Sequence, residues 1–255
     1  TNVILQANNS IVLNDLSDNV LNMKQGSGNS VTFRVLNGTI SFANTLDTIS
    51  TQGGDIIFKA SGALTLGNLS SNGGDILLTG SDLTLGGSSL LNAGAGDISI
   101  TEARFGTIGV GDVSGTTCGG VACGMTISNT ELGQMSGNKL LINGSSENGT
   151  VYVDGVTQTT ATFTGGVELK DAHISGSNGG IIFQGGASTF STLTAKSVNG
   201  MTIDANLTTT VGALALDGDS NNVTENTPHA TFNEDVTIAN GVTLISAGDI
   251  SLSAT

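Results

Sequence analysis

A short motif recurs at nearly constant spacing and limits how this chain can fold. The segments GGDIIF, GGDILL and GAGDISI follow one another along the chain, beginning at Gly53, Gly73 and Gly94. Each contains a Gly–Asp pair followed by alternating apolar residues. A repeat of about 20 residues is typical of a solenoid, in which every coil stacks on the preceding one.

Alternation of apolar with small or polar residues continues along most of the chain and predicts short strands with one buried face. No stretch has apolar residues at helical spacing over enough turns to predict a helix. If the coils stack in parallel and in register, like residues form columns. We expect a core ladder of two columns: Ile56, Ile76 and Ile98; Phe58, Leu78 and Ile100.

The Gly–Asp pairs predict the corners between strands. Glycine permits a sharp change of direction, and an aspartate carboxylate can accept hydrogen bonds from nearby backbone amides. The predicted corner residues are Gly54, Asp55, Gly74, Asp75, Gly96 and Asp97. The expected fold is therefore all-β, a single-stranded parallel β-helix (β-solenoid) with roughly 20–23 residues per coil.

We expect one continuous solenoid over residues 1–255, with two interruptions. Residues 104–124 contain both cysteines but little strict alternation, which predicts an irregular loop. Residues 216–235 contain the only proline, Pro228, and predict an excursion from the solenoid.

Charge and hydrophobicity exclude several classes of partner. The chain has 21 acidic and 7 basic residues, a formal net charge of −14, so it should repel nucleic acid and anionic membrane surfaces. It lacks an apolar run of about 18 residues, so membrane insertion is not expected.

Cys118 and Cys123 lie in the glycine-rich segment CGGVAC. Four intervening residues can bend enough to close a small disulfide loop, which we favour over two free thiols or a metal site. A zinc site would need four ligands, and the only histidines, His173 and His229, are remote in sequence. A disulfide would indicate an oxidising, extracytoplasmic compartment.

Four segments together resemble the filamentous-haemagglutinin-like repeat proteins of two-partner secretion: NVILQANNSIVLND, the GGDIIF and GGDILL coils, LLINGSSENGTVYVDGV and VTLISAGDISLSA. The resemblance covers most of the chain. It implies a right-handed parallel β-helix, secretion, and a role as a surface adhesin or fibre shaft.

Catalytic and metal-binding candidates are few. Lys170, Asp171 and His173 form the nearest approach to a catalytic cluster, and alternation predicts that Asp171 and His173 share one face while Lys170 lies on the other. The carboxylate pairs Asp217/Asp219 and Glu234/Asp235 are closer to turn caps than to a glycosidase pair. We therefore expect no catalytic residues, no metal and no cofactor, apart from weak cation binding by an acidic surface.

The sequence thus predicts a non-catalytic extracellular or cell-surface fibre protein. Its expected partners are copies of itself stacked end to end or the continuation of a longer chain, and surface glycans of a host or cell. The alternatives are a carbohydrate-active β-helix enzyme, a polysaccharide lyase or glycoside hydrolase, and a surface-glycan-binding module.

Overall fold

The computed structural model describes residues 1–104, 106–113, 118–144, 149–157, 162–171, 179–222 and 234–254. These residues form 28 β-strands and one short helix. The chain divides into two compact units. The first comprises Thr1–Arg104, Gln134–Leu140 and Thr162–Thr164, and the second Phe105–Gly133, Leu141–Ala161 and Gly165–Thr255.

The first unit winds through three parallel sheets. Each of its first four coils contributes one strand to each sheet, and the fifth contributes β13 and β16. Its strands are β1 (Val3–Ala7), β2 (Ser10–Leu13), β3 (Val20–Gly26), β4 (Ser30–Val35), β5 (Thr39–Phe42), β6 (Thr48–Gln52), β7 (Asp55–Ala60), β8 (Leu64–Leu66), β9 (Asn68–Ser70), β10 (Ile76–Gly80), β11 (Leu83–Leu85), β12 (Leu91–Asn92), β13 (Ile98–Glu102) and β16 (Met135–Ser136). The sheet orders are β1-β4-β7-β10-β13, β2-β5-β8-β11 and β3-β6-β9-β12-β16. From β1 to β12, every third strand therefore returns to the same sheet, one coil later.

The core of the first unit consists of the inward residues of these strands. Ile56 is paired with Ile76, and Ile76 with Ile98, while Phe58, Leu78 and Ile100 form the neighbouring column. All six side chains are buried. The rings of Phe33 and Phe58 stack with centroids 4.8 Å apart, because in-register pairing places one directly on the other.

The second unit also consists of parallel strands. Its elements are β14 (Ile108–Gly111), β15 (Met125–Ser128), α1 (Asn129–Gly133), β17 (Leu140–Asn143, beginning at the boundary residue), β18 (Val151–Asp154), β19 (Val167–Lys170), β20 (Ile181–Gln184), β21 (Ser188–Phe190), β22 (Leu193–Lys196), β23 (Met201–Ile203), β24 (Leu207–Thr209), β25 (Leu214–Asp217), β26 (Val236–Ile238), β27 (Leu244–Ile245) and β28 (Ile250–Ser253). Its strand orders are β15-β14-β18-β20-β23-β26, β21-β24-β27 and β17-β19-β22-β25-β28.

The parallel β-helix predicted from the repeat is confirmed, although the coils vary in length. Corresponding corner residues lie 20 and 22 residues apart in the GGD coils, as expected, but 28 apart between Asn2 and Ser30. Inward alternation fixes the strands, whereas the turns between them accept insertions at low cost because loop-closure entropy grows slowly with length.

The structure describes residues 104, 106–113 and 118–124 of the first predicted interruption. Residues Ile108–Gly111 form β14, a buried strand between β15 and β18. Because β15 follows β14 in the chain yet pairs with the edge opposite β18, the strand order reverses here. In the second predicted interruption, β25 ends at Asp217 and residues 223–233 lie outside the described residues.

The five-residue helix α1 is the element that the sequence did not predict. Ser128 caps its first turn: the Glu131 backbone amide donates to the Ser128 hydroxyl, and the Ser128 amide donates to the Glu131 carboxylate. This reciprocal arrangement is a capping box. Among the described residues, no helix is long and apolar enough to cross a membrane.

The predicted glycines stack at the corner of the first unit. A Cβ atom on Gly74 would lie 2.5 Å from the backbone of Gly54, and one on Gly96 would lie 2.0 Å from the Gly74 carbonyl oxygen. A side chain at these positions would force the coils apart.

We therefore expect Gly74→Ala to lower the free energy of unfolding by about 2–3 kcal/mol, because the added methyl group meets backbone that cannot move aside. Gly87→Ala is the matched control: no atom lies within 4 Å of its added Cβ, and its effect should stay within about 0.5 kcal/mol. Urea denaturation of both variants measures the difference, and equal losses would contradict the close stacking of the corner.

Candidate functional site

Of the three residues of the catalytic hypothesis, the structure describes Lys170 and Asp171, and these two do not share an open site. Lys170 is exposed and lies beside Lys196 of the next coil, while Asp171 is fully buried. The Ser197 hydroxyl donates to the Asp171 carboxylate at 3.2 Å. His173 lies outside the described residues. Asp171 and Lys170 thus lie on opposite faces, as alternation predicts, and the Asp171 side chain is buried.

The two other carboxylate pairs lie in turns. The Asp217 carboxylate accepts the Asp219 amide at 3.3 Å, and Asp219 is buried. Glu234 has a left-handed backbone conformation with φ of 58°, and the Asp235 carbonyl accepts the Met201 amide. Among the described residues, no three His, Cys, Asp or Glu side chains are grouped to hold a metal ion.

The Gly–Asp corners form a repeated hydrogen-bonding motif between coils. The Asp75 amide donates to the Asp55 carboxylate at 2.9 Å, and the Ile56 amide donates to the Asp75 carbonyl at 2.9 Å. The Asp carboxylate therefore accepts the backbone amide of the corresponding corner residue one coil later. The backbone amide of the residue after the Asp donates to the carbonyl of that same corner residue. We call this two-bond arrangement an Asp clasp.

The Asp clasp occurs three times in succession in the first unit. Asp75 and Ile76 bind the backbone of Asp97, at 2.8 and 2.9 Å, and Asp97 and Ile98 bind that of Lys139, at 3.0 and 2.9 Å. The third clasp has an additional bond, since the Asn138 side-chain amide donates to the Asp97 carboxylate at 2.7 Å.

Asn2 shows that an amide oxygen can take the carboxylate's place. Its side-chain oxygen accepts the Ser30 amide at 2.9 Å, one coil later. The sequence indicated that these corner side chains accept backbone hydrogen bonds, but not that the donor belongs to the next coil. The recurrence of Gly–Asp at coil spacing was the signal for this, because in-register stacking brings equivalent corners together.

The predicted disulfide between Cys118 and Cys123 is confirmed, with the two Cα atoms 5.1 Å apart. Gly119 and Gly120 both have positive φ, and the backbones of Cys118 and Val121 exchange two hydrogen bonds. This is a two-residue hairpin, whose turn requires residues that tolerate positive φ.

The disulfide-closed hairpin rests on the outer face of β14. A Cβ atom on Gly109 would lie 2.5 Å from the Cys123 sulfur, and one on Gly119 would lie 2.7 Å from the Tyr152 hydroxyl. Burial raises the pKa of Tyr152 above its usual value of 10.0. The disulfide thus closes a short loop, Cys118 to Cys123, within the connection between β14 and β15, where the strand order reverses.

Each unit has an outer coil with exposed apolar side chains. In the first unit, Ile4, Val12 and Val20 are 66%, 53% and 45% exposed. A cavity of about 120 Å³ there is lined mainly by apolar side chains, among them Leu5, Leu13, Leu21, Phe33 and Phe42. In the second unit, Ile245, Ile250 and Leu252 are 54%, 46% and 50% exposed. In the part of the chain that the structure describes, the strands that carry these side chains pair on one edge only.

Comparison with known proteins gives no relatives: no known family, no curated protein and no solved structure matches this chain. The geometry of the coils is therefore the basis for the functional argument.

We expect Asp75→Ala to lower the free energy of unfolding by about 1–2 kcal/mol, because the Asp97 amide loses its acceptor. Asp75→Asn keeps an oxygen in place and removes one of three stacked carboxylates, so its loss should be smaller than about 0.5 kcal/mol. Urea denaturation at neutral pH tests this, and an equal loss in both variants would show that charge, not the hydrogen bond, is what matters.

Replacing both Cys118 and Cys123 with Ala should cost about 2 kcal/mol of stability, because a loop of six residues is no longer closed in the unfolded chain. Reductant should destabilise the wild-type protein to the same extent and leave the double variant unaffected. If thermal denaturation shows no effect of either change, the hairpin does not stabilise the fold.

Proposed function

We propose that this protein is a non-catalytic structural or adhesive fibre protein outside the cell, whose solenoid forms a shaft. The observation that carries the proposal is the repetition of one stacking geometry, apolar columns reinforced over three junctions by Asp clasps, up to outer coils whose strand edges have no partner among the described residues. Such edges accept further coils of the same kind, from a second copy or from more of the same chain.

The distribution of polar side chains supports a structural role. Asp55, Asp75 and Asp97 bind neighbouring coils, and Asp171 is buried against Ser197. Carboxylates used in this way stabilise the fold and are not arranged as an acid and a base across an open groove, which glycoside hydrolysis requires.

The disulfide supports a location outside the cytoplasm. Disulfides persist in oxidising compartments and are rare where thiols are kept reduced. A net charge of −14 favours solubility and works against adsorption to nucleic acid or anionic membranes.

The resemblance of the repeats to filamentous-haemagglutinin-like proteins points in the same direction. The parallel β-helix agrees with the fold that this family implies. We assign the chain to the shaft type of such proteins, with export by two-partner secretion as part of the proposal.

A surface-glycan-binding module is the second candidate, and one pair of cations favours it. Arg34 and Lys59 lie side by side on the outer face of β4 and β7. Lys170 and Lys196 also lie side by side, but Lys196 forms an ion pair with Glu168 at 3.3 Å. Among the described residues, Arg34 and Lys59 have no such ion pair, so they are available to an anionic ligand.

Two measurements test the fibre proposal. Antibodies against the chain should label intact, unpermeabilised cells of its source, and negatively stained protein should show filaments as concentration rises. Labelling only after permeabilisation, or cleavage of a polysaccharide by the purified chain, would overturn it.

The glycan-binding candidate predicts retention on immobilised polygalacturonate that is reduced about tenfold by Arg34→Gln with Lys59→Gln. Lys170→Gln is the control, since it removes a cation that lies beside the Lys196–Glu168 ion pair. Retention unaffected by the double change would eliminate this candidate.

A further inference from the structure

A further Gly–Asp corner lies in the last coil of the second unit, at Gly248 and Asp249. The segment SAGDISL, residues 246–252, repeats the pattern of GAGDISI at residues 94–100. We propose that Asp249 and Ile250 form an Asp clasp with Asn2 in the first coil of a second copy, so that β28 of one copy pairs in parallel with β1 of the next. This inference rests on the proposed fibre function and names its contact.

The side of Asp249 that faces its own coil stack is already engaged. The Leu214 amide donates to the Asp249 carbonyl at 2.9 Å, just as Ile56 donates to Asp75 in the first unit. Within its own unit, Asp249 therefore occupies the position of the later corner residue, whose carbonyl accepts an amide of the coil before it. Its carboxylate corresponds to those of Asp55, Asp75 and Asp97, each of which binds an amide of the following coil.

The other half of this clasp consists of the Asp249 carboxylate and the Ile250 amide, which would bind a following coil. Among the described residues, no hydrogen bond reaches the Asp249 carboxylate. In a parallel pair, successive residues direct their backbone groups to opposite edges. Asp249 and Ser253 carbonyls accept amides of the neighbouring coil, so the backbone groups of Ile250 and Leu252 face the open edge.

The first coil offers the matching groups. The Ala7 carbonyl accepts the Leu36 amide, so the backbone groups of Val3, Leu5 and Ala7 face β4, and those of Asn2 and Ile4 face the open edge. The Asn2 amide can therefore donate to the Asp249 carboxylate, and the Asn2 carbonyl can accept a hydrogen bond from the Ile250 amide. Both bonds of the internal clasps are reproduced.

The apolar side chains fit the same register. With Asp249 beside Asn2, the inward residues Ile250 and Leu252 lie over Val3 and Leu5. Ile250 and Leu252 are already stacked on Leu214 and Leu216 in their own unit, and Val3 and Leu5 on Val31 and Phe33 in theirs. The contact would bury side chains that are now half exposed, which supplies the hydrophobic driving force.

The first experiment measures self-association of the full chain by sedimentation velocity over a range of concentrations. Wild type should associate, Asp249→Ala should weaken the association about tenfold or more, and Asp249→Asn should retain most of it. Asp75→Ala, an internal clasp, should leave association unchanged. Because no hydrogen bond from the described residues reaches the Asp249 carboxylate, Asp249→Ala should unfold at the wild-type temperature.

The second experiment tests the register by oxidative cross-linking. Ile4→Cys combined with Ser251→Cys places the two thiols side by side on the outer face, and should yield a ladder of covalent oligomers on non-reducing gels. Gln6→Cys combined with Ser251→Cys, shifted by two residues, should yield far less.

The outcomes separate this inference from the fibre proposal. Filaments that form equally well in Asp249→Ala, or that cross-link equally in the shifted pair, would overturn the clasp contact and leave the fibre proposal standing. A chain that stays monomeric at every concentration overturns the contact between copies, whereas labelling of intact cells still decides whether the chain is a surface shaft.

Discussion

Parallel pairing in register between successive coils is the constraint on which this structure depends. Each interior strand gives its backbone hydrogen bonds to the coil before and the coil after, so inward side chains must stack in columns. Residues of similar shape, such as Ile56, Ile76 and Ile98, fill such a column without gaps. The same closeness restricts the corners, where Gly54 and Gly74 approach each other too nearly for a side chain.

Much of this fold could be predicted because its signals are local or periodic. Alternation identifies the strands, the spacing of Asp55 and Asp75 gives the coil, and the CGGVAC spacing favours a disulfide. The helix α1 was missed because it is a single turn with no apolar stripe, although the Ser128–Glu131 capping box was visible. The reversed order of β14 and β15 could not be predicted, since both have the same alternation and only their pairing distinguishes them.

The candidate site was predictable only in part, for a related reason. Alternation correctly separated exposed Lys170 from buried Asp171. It also located the corner aspartates and their role as acceptors. It could not identify the donors, because Asp97 receives bonds from Asn138 and Lys139, more than 40 residues away. A bond between coils depends on how many residues separate two corners, and insertions change that number.

The Asp clasp has a direction, and this decides what kind of assembly it permits. In each clasp the carboxylate belongs to the earlier coil and the accepted amide to the later one, so in the proposed contact the coil of Asp249 supplies the carboxylate and the coil of Asn2 supplies the amide. Two copies joined through their Asp249 edges would place two carboxylates together, and electrostatic repulsion between them opposes this contact. Neither carboxylate would have a hydrogen-bond donor. Unlike edges satisfy both hydrogen bonds. A contact between unlike surfaces is heterologous, so the proposed contact would propagate until a ring closes or would continue as a filament.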